Sequence, residues 1–386
     1  MNFIFTILLL TISFNIILGK NNQIENKINV NLESIETRVK KSIYSNVPYK
    51  WSFPIDYKID TGVNETTVKK ALEILEKETC IRFRKTNTFT NGGLLYKLST
   101  GCRSYVGKIS NSKPQEVYLG DTCDYFTAAI HETSHALGVD HEMCRHDRNN
   151  YLTILFQNIH PQVASNFIMQ PPSNSLTYNT KYDYGSVMHY DRFAGSFNNQ
   201  PAMLPRYSSY TKTFGQRSEY GFNDAKRLNM HYCNHICPKK LKCVNGGYTD
   251  PNNCKICKCP RFFTGVLCLK VKESDKSCGN VKYLATDKDK FIEAKGKKSC
   301  YFQIKAPPGF RIKLSIVNLL SIPDQFVCQP GSGLEIKYLA DKTVSGALFC
   351  GRDMIKELNS EHNTVIMRYV GKTPFDKIKI KYRRIK

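Results

Sequence analysis

His131-Glu132-Thr133-Ser134-His135-Ala136-Leu137-Gly138-Val139-Asp140-His141 is the stretch on which the reading of this chain turns. On a helix, positions i and i+4 share a face, so the imidazoles of His131 and His135 can meet one zinc ion. Glu132 follows the first histidine and stands beside the metal. The apolar pattern predicts a helix over residues 125–137, stopped by Gly138, which tolerates a backbone that other residues resist. The chain can then swing back and deliver His141 as a third ligand. The first five residues alone arise often by chance. Their continuation through Gly138 to His141 is far more specific. The other six histidines, His146 and His231 among them, have no ligand spacing and read as surface or core residues.

Downstream, Ser186-Val187-Met188-His189-Tyr190 adds a methionine to floor the site and a phenol that can coordinate zinc or hydrogen-bond a developing oxyanion. Without the histidines upstream, both would read as ordinary packing. Histidine spacing and methionine turn together are marks of the metzincins. The run His141-Glu142-Met143-Cys144-Arg145-His146-Asp147-Arg148, with Phe214-Gly215-Gln216-Arg217 and Cys233, resembles the astacin family over residues 42–233. That resemblance implies a two-lobed fold with the cleft between the lobes. It implies one zinc ion held by His131, His135 and His141, with Tyr190 as a fifth ligand displaced during turnover. It also implies the disulfides Cys80–Cys233 and Cys102–Cys123, and a contact between Glu142 and the N-terminus exposed when a pro-segment is removed, Ser42 or a neighbour.

Outward from this core the chain divides. Residues 1–19 carry no charge and read as a signal peptide, with an uncleaved anchor as the alternative. Residues 20–41 are polar, end in Arg38-Val39-Lys40-Lys41 and read as a short pro-segment rather than a plain linker. In residues 42–233, Asn64-Glu65-Thr66-Thr67 can cap a helix whose Val68, Ala71, Leu72 and Leu75 fall at helical spacing. Asn64 also opens a glycosylation sequon. Short strand-like runs lie at 80–84, 94–99, 103–109 and 115–120, and a late helix near 222–231. Residues 234–269 hold six cysteines and are too few to build a core without disulfides. They resemble an EGF-like module, with expected pairs Cys237–Cys254, Cys243–Cys257 and Cys259–Cys268. Residues 278–386 alternate as a β-sandwich does and resemble a CUB domain, with Cys278–Cys300 and Cys328–Cys350 paired by spacing. The expected class is α+β, and the module order is similar to that of nematode astacins.

Composition bounds the rest. A length of 386 residues allows two or three domains, and 15 cysteines point to an oxidising, extracellular compartment. The odd count leaves one thiol over, and Cys144 sits inside the signature where family cysteines are not expected. Lys+Arg 56 against Asp+Glu 33 gives a net charge of +23. The basic clusters lack the interleaved aromatics of a nucleic-acid binder, so the expectation is no nucleic acid. The charge reads as a solvated surface or as attraction to acidic glycans or extracellular proteins through the EGF and CUB regions. No stretch after residue 19 is long and apolar enough for membrane insertion. Two departures from the family stand out: residues 20–41 contain no aspartate to block zinc, and Gly333 precedes Leu334-Glu335-Ile336 where a calcium-binding CUB domain has an acid. The expected function is a secreted zinc endopeptidase acting on protein or peptide substrates through a zinc-activated water. Glu132 would be the general base and Tyr190 the oxyanion partner, with the substrate strand laid against residues 115–120. An inactive protease fold that binds through its modules, or another zinc hydrolase such as a deacylase, is the alternative.

Overall fold

Asn64 closes an extended approach by accepting the backbone N–H groups of Thr66 and Thr67 on its Oδ1, at 3.1 and 3.3 Å. Helix α1 (Glu65–Glu78) starts there, and it buries Val68, Ala71, Leu72 and Leu75 along one face. The amide nitrogen of the same asparagine donates to Asp124, so the sequon residue is engaged at both ends. The computed structural model describes residues 43–44, 48–321, 323–352 and 355–386. The signal-peptide and pro-segment expectations, and the N-terminal role of Ser42, lie outside the described residues.

Helix α1 packs with a second helix, α2 (Phe126–Ala136), on a five-stranded sheet. Its strand order is Phe83–Lys85, Ile55–Ile59, Gly93–Leu98, Pro114–Leu119, Arg103–Ser104. The first four are parallel, and the short last strand runs antiparallel. Ile55, Tyr57, Leu94, Tyr96, Val117 and Leu119 meet the apolar faces of both helices in one core. The expected strand over 103–109 is cut to two residues by a turn at Gly107, whose φ is +80°.

After Gly138 regular structure thins out. Residues 139–221 run through short 3-10 turns and two-residue or three-residue ribbons until helix α3 (Phe222–Tyr232). The disulfide Cys80–Cys233 ties the end of α3 to the end of α1. Closing a loop of 153 residues is worth about 5 kcal/mol in the chain-entropy model, an upper figure. Cys102–Cys123, the three pairs expected in residues 237–268 and the two of the last region are all formed, and Cys144 is buried outside these bridges.

The small disulfide unit carries two short hairpins, and its last strand pair joins Phe263–Thr264 to Lys270–Val271. The C-terminal region is a sandwich. One sheet has the order Lys282–Leu284, Lys298–Lys305, Thr364–Gly371, Gly333–Lys337, Ala347–Phe349; the other, Lys290–Lys295, Lys377–Ile385, Arg311–Leu320, Ile355–Asn359. Period-two alternation turns Ile378, Ile380 and Tyr382 inward and the lysines between them outward. Its core is continuous with the aromatic core beneath residues 143–214. Ser345 N–H donates to Asp183 at 3.0 Å and Leu348 N–H to Thr213 at 3.0 Å. A Cβ on Gly185 would come within 2.4 Å of the Ser345 side chain, so this approach requires glycine. Arg261 of the small unit reaches both Glu219 and the buried Glu335, pinning the three regions together. Among the described residues no helix is long and apolar enough to cross a membrane.

Candidate active site

Helix α2 is anchored to the sheet by Thr133, which donates to Ala129 O at 2.6 Å while its oxygen sits 2.8 Å from the Tyr96 hydroxyl. That fixes the rotation of the helix, and so the face on which His131 and His135 project. The helix closes with Gly138 N–H donating to His135 O and Val139 N–H to Ser134 O. Gly138 has φ +99°, with ample room for a Cβ, so the backbone conformation and not space calls for glycine. Three residues later His141 returns to the two helical histidines. Its Nε2 lies 3.2 Å from Nε2 of His131 and 3.2 Å from Nε2 of His135.

The other ring nitrogens show what this cluster suits. His131 Nδ1 stands 2.9 Å from Val187 O, and His135 Nδ1 2.7 Å from Val139 O. A carbonyl only accepts, so Nδ1 carries the proton and Nε2 is left as a lone-pair donor. Ligands of a tetrahedral zinc ion at about 2.05 Å stand roughly 3.3 Å apart, close to the spacing found. Burial also drives His131 down to about 4, keeping it neutral as a ligand must be. Glu132 is buried beside it, and among the described residues its Oε2 has no hydrogen-bond partner. Burial raises that carboxyl to about 8, and Arg103 opposes the rise. A cation among the imidazoles would supply the charge this carboxylate lacks. Residues and geometry therefore fit a zinc ion.

The wall opposite α2 comes from the Met188 turn. Met188 is fully buried, its carbonyl accepts Glu142 N–H at 3.0 Å, and Val187 O holds His131. Tyr190 lies with its ring 4.4 Å from that of His141 and 5.9 Å from Phe167. Burial pushes its phenol pKa up, so it stays a proton donor. The cleft has a volume of about 260 Å³, with His131, Glu132, Tyr190 and Arg217 in its lining.

A buried ionic network that sequence reasoning passed over holds this turn. Asp224 accepts Ser186 Oγ–H at 2.6 Å and Val187 N–H at 3.0 Å. Arg227, one helical turn on, bridges Asp224 at 2.6 Å and Glu142 at 2.5 Å. Glu142 also faces Arg145 at 3.4 Å and accepts Asp183 N–H at 2.9 Å. An acid and an arginine three apart on α3 look like a solvated surface pair in sequence. Only their complete burial shows otherwise.

The expected substrate edge is corrected by the sheet order. Residues 115–120 are not the open edge: Arg103–Ser104 pairs with Val117 and Tyr118, so the outer strand toward Glu132 is Arg103–Ser104. His146 and His231 are occupied away from the cluster, by Ser175 and Tyr178. Cys144 is buried, and its thiol donates to Asn166 O at 3.0 Å.

Comparison with known proteins agrees with this geometry. Residues 44–233 match the family model for astacin, a peptidase family, and residues 286–378 match the CUB domain. Zinc metalloproteinase nas-34 of Caenorhabditis elegans is 38% identical over 340 residues, covering 86% of this chain and 56% of that protein. Zinc metalloproteinase nas-28 of the same organism is 30% identical over 378 residues, covering 92% of this chain and 75% of that protein. A solved structure, the high choriolytic enzyme 1, a hatching enzyme zinc-protease from Oryzias latipes (medaka fish), is 32% identical, covers 46% of this chain and 88% of its own, and superposes with a TM-score of 0.42. The chain spans 56% of nas-34 and 42% of nas-37, about half the length of such relatives.

Proposed function

This chain belongs to the astacin family, and from that premise we propose that it is a secreted zinc endopeptidase cleaving protein or peptide substrates. The observation that carries the reading is the convergence of three imidazole Nε2 atoms beside a buried, unpartnered carboxylate oxygen. Zinc bound by His131, His135 and His141 would polarise the scissile carbonyl and acidify water.

Glu132 is the general base. Its oxygen takes a proton from the attacking water and later hands it to the leaving amine. Tyr190 donates its hydroxyl proton as a hydrogen bond to the developing oxyanion, and the rings of His141 and Phe167 hold it in place. The substrate lies extended and adds itself to the outer strand Arg103–Ser104, its backbone paired and its side chains reaching the cleft. Residues 234–269 act as an EGF-like module, with the CUB domain behind them. Residues 1–19 direct secretion, which suits seven disulfides.

Casein cleavage with and without a zinc chelator, beside the Glu132→Gln variant, tests the reading. The chelator should abolish cleavage. Glu132→Gln should retain zinc by atomic absorption yet lose at least about a hundredfold in kcat/KM. Cleavage that survives both treatments would refute the proposal.

A further inference from the structure

Between the small disulfide unit and the outer face of the sandwich sheet that contains Lys298–Lys305 runs a groove of about 950 Å³, at the upper end for a small-ligand site. Its floor is set by alternation along Lys298–Lys305: Phe302 and Ile304 fill the sandwich core, while Gln303 and Lys305 face out. Lys270, Lys272, Lys276, Lys282, Lys305 and Lys342 line it, from five different segments. Only Glu273 and Asp275 oppose them in the lining, and Asp275 already accepts Ser299 N–H at 2.7 Å.

The rest of the sandwich is built differently. On the outer face of the four-stranded sheet, Lys379, Lys381 and Lys313 each meet an acid, namely Glu293, Asp289 and Glu357. Among the described residues the groove lysines have no such ion pairs. Lys272 is held below the ordinary lysine range by desolvation and then by Arg368 and Arg261. Lys342 is pushed down to about 8 by burial and by Lys337. Six lysines against two acids in one concave surface favour an arriving polyanion.

We infer that this groove binds a sulfated linear polysaccharide. The cations are lysines, point charges without the planar fork that pairs carboxylates two by two. The amide of Gln303 stands among them, suited to sugar hydroxyls, while Asn363 Nδ2 donates to Ala306 O. The floor is the outward face of Lys298–Lys305 and Thr364–Gly371, so a chain laid on it meets side chains rather than backbone hydrogen-bonding groups, which suits a polysaccharide better than an added peptide strand. This inference does not depend on the peptidase chemistry.

The test uses the full chain, with immobilised heparin as the sulfated probe, hyaluronan as the carboxylate-only probe and polyglutamate as the acidic peptide. A triple variant, Lys270→Gln, Lys276→Gln and Lys305→Gln, is compared with Lys377→Gln, Lys379→Gln and Lys381→Gln, which removes the same charge from the other face. The groove variant should bind heparin at least roughly tenfold more weakly, and its slope of log K against log salt should shrink by about 2. The control should change by less than about threefold, and casein cleavage should be the same in both. Hyaluronan and polyglutamate should each bind at least roughly tenfold more weakly than heparin. Equal losses in the two variants would reduce the effect to net charge and overturn the site. An unchanged groove variant, or hyaluronan or polyglutamate binding as tightly as heparin, would overturn it as well.

Discussion

The two halves of the astacin-like region, residues 44–233, hold their share of the candidate site by different physics. In residues 55–138, parallel strands and two amphipathic helices make a conventional core, and His131 and His135 project from a helix whose rotation that core fixes. In residues 139–232, regular structure is sparse. His141, Met188 and Tyr190 are held by side chains: Glu142, Arg227, Asp224 and Asp183 in one buried network, and a layer of tyrosines beneath. The first half is stabilised by apolar area, which is tolerant and non-directional. The second depends on charges that must all be paired, and it fails abruptly when one is removed.

The strongest way to break this comparison is a pair of variants. Arg227→Ala strands Asp224 in the interior, leaves Glu142 with Arg145 alone and should cost about 3–5 kcal/mol. Leu72→Ala, in the helix α1 core, should cost about 2–5 kcal/mol through transfer and cavity terms. Denaturant melts measure both, but the telling readout is kcat of the folded fraction at low temperature. Leu72→Ala should keep it, while Arg227→Ala should lose it because the Met188 turn and Tyr190 shift. Equal kcat in the two variants would show that the network is structural ballast only.

A smaller effect sharpens the contrast through pH. His231 on α3 packs on Tyr178, and desolvation holds its imidazole down to about 4 from an ordinary 6.5. The unfolded chain therefore binds the extra proton between those values, and stability falls as pH drops from about 6.5 to about 4. After discounting for the exposed part of the ring, His231 should account for about 1–2 kcal/mol of that fall. His231→Gln should flatten the profile by this amount, and an unchanged slope would assign the loss to other groups.

The smallest effect belongs to Cys144. Its thiol is buried in the side-chain-held half, yet it belongs to none of the seven disulfides. Cys144→Ala should move stability by no more than about 1–2 kcal/mol, because it removes one small apolar group. Alkylation in denaturant without reductant should label this cysteine alone by mass spectrometry. A disulfide-linked Cys144 peptide would contradict the buried thiol.

Much of the first half was legible in the sequence because its code is local. Asn64 as cap, the apolar spacing of α1, the i, i+4 histidines and the turn at Gly138 depend on neighbours within a few residues, and the structure places all of them as read. The cysteine pairs were legible too, some from spacing and some from family likeness. Tertiary structure alone decided the rest. Arg103–Ser104 takes the outer position beside Pro114–Leu119 because sheet order depends on how the chain folds back, which no local pattern encodes. Asp224 and Arg227 look like a surface pair until the Met188 turn and Glu142 close over them. Lys272 and Lys305 are ordinary basic residues along the chain. They become one cationic groove only when the disulfide unit packs beside the sandwich, because charge density depends on distances in space rather than positions in sequence.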